Sequence, residues 1–318
     1  MPWRMIATVI IATAIVACAS ETDARGARST ATSAASAATA DSTLHVTDDN
    51  GHVVTLPGPA HRVISLIPSA TESIIALGAS DRIVGRTRYD VAPQVASLPN
   101  VGGGIDPSVE AIVALHPDLV IAWNTDKRQI ARAKLVALGV PVFTMRTEDT
   151  TDVFRGIANL GKLLGRDTSA RRVVASIHRD LDEVRRSVAG QPTPSVFYVV
   201  YNDPPMTAGS KTFIGQLLGI AGGRSIFADL DALWPQVPLE EIIRRDPDLL
   251  VVPIGEFKTN SLEHLRARSG WRDLRAVREG HVVTVPSDLL SRPGANIGEA
   301  ARALRTAMHP TLAAGVTR

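Results

Sequence analysis

Ser108-Val109-Glu110-Ala111-Ile112, running on to His116-Pro117-Asp118-Leu119-Val120, recurs as Pro238-Leu239-Glu240-Glu241-Ile242, running on to Asp246-Pro247-Asp248-Leu249-Leu250. In both copies the glutamate stands eight residues before the last aspartate (118−110 and 248−240). Each copy reads as a short helix, a Pro-Asp turn that ends it, and a buried strand. Proline cannot continue a helix, and an unbroken apolar run suits a strand covered on both faces. The same unit at the same place in two halves predicts two pseudo-symmetric α/β lobes. A cleft between such lobes is where a ligand would bind.

Outward from the first copy, residues 44–165 read as the N-terminal lobe. Arg62 to Ile67 is a buried strand feeding Ser69-Ala70-Thr71-Glu72, a capping-box pattern that opens a helix to about Leu77, where Gly78 stops it. Arg82 to Thr87 is the next strand. Asp106 as N-cap and Pro107 at the first helical position open the helix Ser108 to Leu115. Strand Leu119 to Trp123, helix Asp126 to Leu138, strand Val140 to Met145 and helix Thr151 to Leu164 complete a mostly parallel, Rossmann-like sheet with helices on both faces.

Residues 166–191 hold one long connecting helix. Val173, Val174, Ile177, Leu181 and Val184 form its apolar stripe, and Arg, Asp and Glu fill the other face. Gln191-Pro192-Thr193-Pro194 breaks it. The C-terminal lobe, 192–318, continues with strand Ser195 to Tyr201, helices Thr212 to Ile220 and Leu239 to Arg245, strand Leu249 to Pro253, helix Ser261 to Arg268, strand Val282 to Val285 and helix Ile297 to Met308.

The chain of 318 residues is 45% hydrophobic and 21% charged, the balance of a globular protein with a real core. Lys+Arg number 34 against Asp+Glu 32, a net charge of +2, and no basic run marks a nucleic-acid partner. The one cysteine, Cys18, follows Arg4 and the apolar stretch Met5 to Val16, which is too short for a comfortable membrane span. Ile15-Val16-Ala17-Cys18 resembles the lipobox of bacterial lipoproteins, which implies a signal peptide over 1–17, acylation of Cys18 and an exported, membrane-anchored protein. Residues 18–43, rich in Ala, Ser and Thr, cannot bury enough surface to order themselves and read as a tether. No cysteine remains for a disulfide or a thiolate metal site.

Catalysis has no foothold. Ser69 and Ser210 precede helices but sit in no Gly-x-Ser-x-Gly elbow, and the eight histidines are dispersed without a zinc-binding pair. Gly102-Gly103-Gly104 lacks the Lys-Ser/Thr of a phosphate loop. Neither an enzyme nor a resident cofactor or metal is expected.

Residues 61 to about 310 resemble the periplasmic binding proteins whose lobes are joined by one rigid helix (class III), which deliver cobalamin, haem and ferric siderophores to ABC importers. The resemblance is carried by Arg62-Val63-Ile64-Ser65-Leu66, Leu115 to Trp123, Asp203-Pro204-Pro205-Met206-Thr207-Ala208-Gly209, Gly222-Gly223-Arg224-Ser225-Ile226-Phe227, Trp234-Pro235-Gln236-Val237 and Ser287-Asp288, in order across both lobes. Within the family the motifs are most like those of the vitamin B12 (cobalamin) binders. The resemblance implies that Tyr89, Trp123 and Trp234 face a corrin ring, that Met206 adds apolar contact, and that Asp288 and Arg292 meet its polar periphery. It also implies that Glu110 and Glu240 dock on the two subunits of a permease served by ATPase subunits, with the binding protein a monomer.

Two features depart from the cobalamin pattern. Gly104 stands where a further tryptophan is usual, which leaves a related corrinoid such as cobinamide open, and Ala221 stands where a cysteine is usual. Within the same family, a haem binder would use Tyr89 or Tyr201 as iron ligand, and a ferric-siderophore binder would gather Arg86, Arg88 and Arg292. Each residue has a plainer reading too. Trp123 would cap a strand, Asp288 and Arg292 would form a surface ion pair, Glu110 and Glu240 would stabilise helix starts, and Glu72 is read as a capping residue.

Overall fold

The computed structural model describes residues 43–124, 129–255 and 262–313. A hairpin of β1 (Leu44–Thr47) and β2 (Val53–Leu56) comes first. The first lobe follows as β3 (Val63–Ser65), α1 (Pro68–Ala76), β4 (Ile83–Gly85), α2 (Val109–Ala114), β5 (Leu119–Trp123), α3 (Gln129–Ala137), β6 (Val142–Met145) and α4 (Thr150–Leu163). The 21-residue α5 (Asp167–Ser187) leads into the second lobe. That lobe runs β7 (Ser195–Tyr198), β8 (Tyr201–Asn202), β9 (Pro205–Met206), α6 (Phe213–Ile220), β10 (Arg224–Ser225), α7 (Leu239–Arg245) and β11 (Leu249–Ile254). It ends with α8 (Leu262–Ala267), α9 (Arg275–Glu279), β12 (Val282–Pro286), α10 (Ser287–Ser291), α11 (Ile297–Met308) and α12 (Pro310–Ala313).

Each lobe is built on a four-stranded parallel sheet, ordered β4-β3-β5-β6 in the first and β10-β7-β11-β12 in the second. The two orders correspond strand for strand. The sequence repeat is equally exact at the backbone: His116 (φ 47°) and Asp246 (φ 40°) are the non-glycine residues with positive φ among those described, and each ends its short helix before a proline. The aspartates that follow do one job. Asp118 accepts the backbone N–H groups of His61 (2.7 Å) and Arg62 (3.0 Å), and Asp248 accepts the N–H (2.9 Å) and hydroxyl (2.7 Å) of Ser195. Val63 pairs with Leu119 and Val196 with Leu249, so each carboxylate fixes the neighbouring strand one step before the ladder begins.

Strand residues alternate between two apolar layers. Val63, Leu119, Ile121, Val196, Tyr198 and Val251 point into a core shared with α4, α5, α6 and α11. Ile64 and Val120 pack under Ile112 and Leu135 on one side of the molecule, and Phe197 and Leu250 pack against Ile242 and Trp271 on the other. Coverage on both faces explains why these strands read as unbroken apolar runs. The stripe of α5 buries Ile177, Leu181 and Val184 against α4 and α11, with Val173 and Val174 partly buried.

Local signals were less reliable at helix starts. Ser108, not Asp106, caps α2, its hydroxyl accepting the Ala111 N–H at 3.1 Å, while Asp106 pairs with Arg88 at 3.0 Å. The capping box at Ser69 does not form. Pro68 already occupies the first turn of α1, Ile67 is the cap residue, and Glu72 is engaged elsewhere. The β1–β2 hairpin lies outside the predicted elements, as do β9 and the short β10, α9, α10 and α12, while the predicted strand Ser195 to Tyr201 divides into β7 and the start of β8. The leader, Cys18 and the tether up to residue 42, together with parts of the Asp126 and Ser261 helix starts, lie outside the described residues.

Candidate functional site: the cleft between the lobes

The cleft opens at the carboxyl ends of both parallel sheets, where β-α loops leave room for a ligand. Trp123 ends β5, Ile254 ends β11, Thr147 follows β6 and Ser287 follows β12. A cavity of about 610 Å³ is lined by Arg88, Tyr89 and Trp123 from the first lobe and by Ile254, Asp288 and Arg292 from the second. A second, of about 340 Å³, is lined by Glu148 and by Tyr198, Phe213 and Trp234. Thr147, Ser287, Ser291 and Pro293 line both, so the two volumes are parts of one cleft.

The aromatic residues are held by specific backbone features. Tyr89 is 53% exposed, with the Arg88 guanidinium 5.9 Å from its ring centroid. Trp123 is half-buried on the shared core, and its ring fills the space beside Gly104. A Cβ at Gly104 would sit 2.5 Å from the indole and 2.4 Å from the Leu66 carbonyl oxygen, so no side chain fits there while Trp123 keeps this position. Trp234 is 37% exposed. Its loop is tied down by the Gly209 N–H to the Leu233 carbonyl (2.8 Å) and the Thr207 N–H to the Pro235 carbonyl (3.1 Å). Met206, in β9, pairs with Tyr201 and bridges to Gln236, and it lines neither cavity.

Arg292 joins the lobes. Its guanidinium, 15% exposed, donates to Glu72 of α1 at 2.9 Å and lies 3.3 Å from Asp288. Glu72 is therefore the first lobe's partner for Arg292 rather than a cap, though it lines neither cavity. Burial raises its pKa above the ordinary glutamate value, and the Arg292 bond only partly opposes this. Asp288 and Arg292 come together as expected, but as two members of a three-residue cluster that crosses the cleft. Tyr201 is 58% exposed on β8 and lines neither cavity, and Arg86 donates to the Thr87 carbonyl outside them. Among the described residues no group of three or more His, Cys, Asp or Glu side chains is arranged to hold a metal ion, and no helix is long and apolar enough to cross a membrane.

The segment between β6 and α4 went unnoticed in the sequence, and it joins the lobes a second time. The Phe213 N–H donates to the Glu148 carbonyl at 2.7 Å, and the N–H and hydroxyl of Thr150 donate to the Gln216 side-chain oxygen at 3.0 and 2.7 Å. The segment rests on Asp152, whose side chain is 1% exposed. Asp152 receives Arg146 at 2.8 and 2.9 Å, the Glu148 N–H at 3.0 Å, and Arg155, which also bonds Asp49 beside the β1–β2 hairpin.

Glu110 and Glu240 are the second residues of α2 and α7, exposed at equivalent places on the two lobes. The Ser108 hydroxyl bonds Glu110 at 3.3 Å.

Two similar lobes, one connecting helix and a cleft at the strand ends define a ligand-capturing protein of the two-lobed transport type. A family model described as periplasmic binding protein matches residues 63–289, and the chain belongs to that family. It is an exported substrate-binding component of ABC importers, not an enzyme. An uncharacterised ABC transporter substrate-binding lipoprotein, YvrC, of Bacillus subtilis is 29% identical over 83% of this chain and 85% of its own. A cobalamin-binding protein of Halobacterium salinarum is 31% identical over 83% of this chain and 73% of its own. The crystal structure of the periplasmic vitamin B12 binding protein BtuF of Vibrio cholerae, 26% identical, superposes with a TM-score of 0.67 over 82% of this chain and 99% of that one.

Burial alone would raise the pKa of Asp152, but the hydrogen bonds from Arg146, Arg155 and Glu148 outweigh it and hold the carboxyl below the ordinary aspartate value. A lowered folded pKa stabilises the fold above the unfolded value, near 4, and that contribution is lost as pH falls through the folded value. Asp152→Asn should therefore cost about 1–3 kcal/mol at neutral pH and far less in acid. Equilibrium urea unfolding at the two pH values checks this, and equal losses would contradict it.

Proposed function

We propose that this protein captures a corrinoid of the cobalamin type between its lobes and presents it to the permease dimer of an ABC importer, whose ATPase subunits drive uptake. The observation that carries the reading is the placing of Tyr89 and Trp123 on one side of the cleft and Trp234 on the other, around about 610 and 340 Å³ of contiguous space. A corrin is wide, flat and apolar on its faces, with a periphery of neutral amides. Aromatic side chains match such faces, burying roughly 150–250 Å² each at little entropic cost.

The charges favour a neutral ligand over an anionic ferric siderophore. Arg88 is paired with Asp106, and Arg292 has two carboxylate neighbours. An anion would have to displace those partners. The 31% identity to a cobalamin-binding protein supports the same reading. The bare Gly104 position is compatible with it, because the Trp123 ring already occupies that wall. Haem, the remaining rival, would need the Tyr89 hydroxyl as its iron ligand.

Tryptophan-fluorescence titration with cyanocobalamin, haemin and an anionic ferric catecholate siderophore separates these ligands, and saturable binding of cyanocobalamin is expected. Trp234→Ala should weaken it at least about tenfold with an unchanged circular dichroism spectrum. Tighter binding of haemin or the siderophore would overturn the corrinoid assignment, and unchanged affinity would remove Trp234 from the site.

Glu110 and Glu240, like charges at pseudo-twofold positions, suit a dimeric permease with a basic patch on each subunit. The double variant Glu110→Ala/Glu240→Ala should bind ligand normally and fail to stimulate the importer's ATPase in proteoliposomes. Normal stimulation would contradict docking through these residues.

The protein acts as a monomer, held to the membrane by acylated Cys18 through the segment 18–43. Cys18→Ser should move it from the membrane fraction to the soluble fraction. Retention in the membrane would exclude the anchor.

A further inference from the structure

Glu148 reaches the cleft with one carboxylate oxygen in use and the other available. Its Oε2 accepts the indole N–H of Trp234 across the cleft at 3.4 Å. Among the described residues Oε1 has no hydrogen-bond partner, and the side chain lines the smaller cavity beside Phe213 and Trp234. The backbone on both sides of this carboxylate is fixed. The Glu148 N–H is held by buried Asp152 at 3.0 Å, its carbonyl receives the Phe213 N–H at 2.7 Å, and Thr150 is bonded to Gln216. The backbone that carries the carboxylate is therefore held in place, and the Trp234 bond is what orients the side chain itself.

An ionised carboxylate accepts hydrogen bonds and donates none. Facing a ligand edge, it favours N–H donors or positive charge and repels another carboxylate, a repulsion that grows as water is expelled from the closing site. No cation compensates within the described cleft, because Arg88 and Arg292 are held by Asp106 and by Glu72 with Asp288.

We propose that Glu148 is a specificity-determining residue of this cleft: it sets the plane of the Trp234 indole and, through its second oxygen, selects macrocycles edged with amides over macrocycles edged with carboxylates. The inference rests on the corrinoid reading only for its choice of first probe. In the sequence Glu148 carries no distinguishing signal, because a lone glutamate ahead of a helix reads as part of the helix start.

The test compares cobinamide, edged with amides, with cobyrinic acid, edged with carboxylates, in the full-length protein and in Glu148→Gln. In the variant the amide oxygen retains the Trp234 bond while an NH₂ donor replaces Oε1. The unaltered protein should prefer cobinamide by at least about tenfold, and Glu148→Gln should cut or reverse that preference by at least about tenfold. A preference near one in the unaltered protein overturns the inference, and needs no variant to fold. So does a preference that survives Glu148→Gln. If neither binds while cyanocobalamin does, no amide edge is being selected and the inference is overturned; if cyanocobalamin also fails to bind, the corrinoid assignment falls and haemin is compared with its propionamide derivative. A Glu148-dependent preference for the amide then upholds the inference, while tighter binding of haemin, or no binding of either porphyrin, overturns it.

Discussion

Ile177, Leu181 and Val184 of α5 belong to the same apolar cluster as Ile121 of the first sheet and Val196 of the second. Each such side chain contributes roughly 1.5–3 kcal/mol by leaving water. The lobes cannot rotate far about α5 without opening this cluster, so the helix is a strut more than a hinge. The cross-lobe bonds of Arg292 to Glu72, Phe213 to Glu148 and Thr150 to Gln216 brace the same geometry from the cleft side. A cleft held open in this way charges the ligand little for ordering its walls, which suits capture of a scarce, rigid molecule.

The cleft's chemistry follows from where a parallel sheet ends. Strands β5, β6, β11 and β12 all run toward it, so the residues just beyond their carboxyl ends become its walls. The repeated lobe architecture supplies two such walls facing one another. Their side chains differ, with Trp123 closing β5 where Pro253 and Ile254 close β11. The outer ends of the repeated unit are alike, each presenting a glutamate at the second position of a short helix. On the proposed function, similarity on the outer face and difference in the cleft are what one asymmetric ligand and one symmetric permease would require.

How much of this was legible varies with the range of the interaction. The repeat around Asp118 and Asp248 revealed the two lobes because a helix, a proline turn and a strand are local patterns, and the structure adds only that both aspartates pin the neighbouring strand. Tyr89 and Trp234 are marked by the family resemblance, and a large aromatic in a loop has few packing duties to set against that role. The Glu72–Arg292 bond spans 220 residues, and nothing near Glu72 in the chain hints at it. A capping box was the natural local reading until Pro68 proved to occupy the first turn. Gly104 read as a lost contact, and only the positions of the Leu66 carbonyl and the Trp123 ring show why a side chain is excluded there. The β1–β2 hairpin escaped notice because its alternation is just four residues per strand.

The most direct measurement is a crystal structure of the protein grown with cyanocobalamin. The account predicts the corrin lying between Tyr89 and Trp234, with the two sheets oriented as they are here and α5 straight. A corrin bound elsewhere, or lobes brought together by a bend in α5, would contradict it.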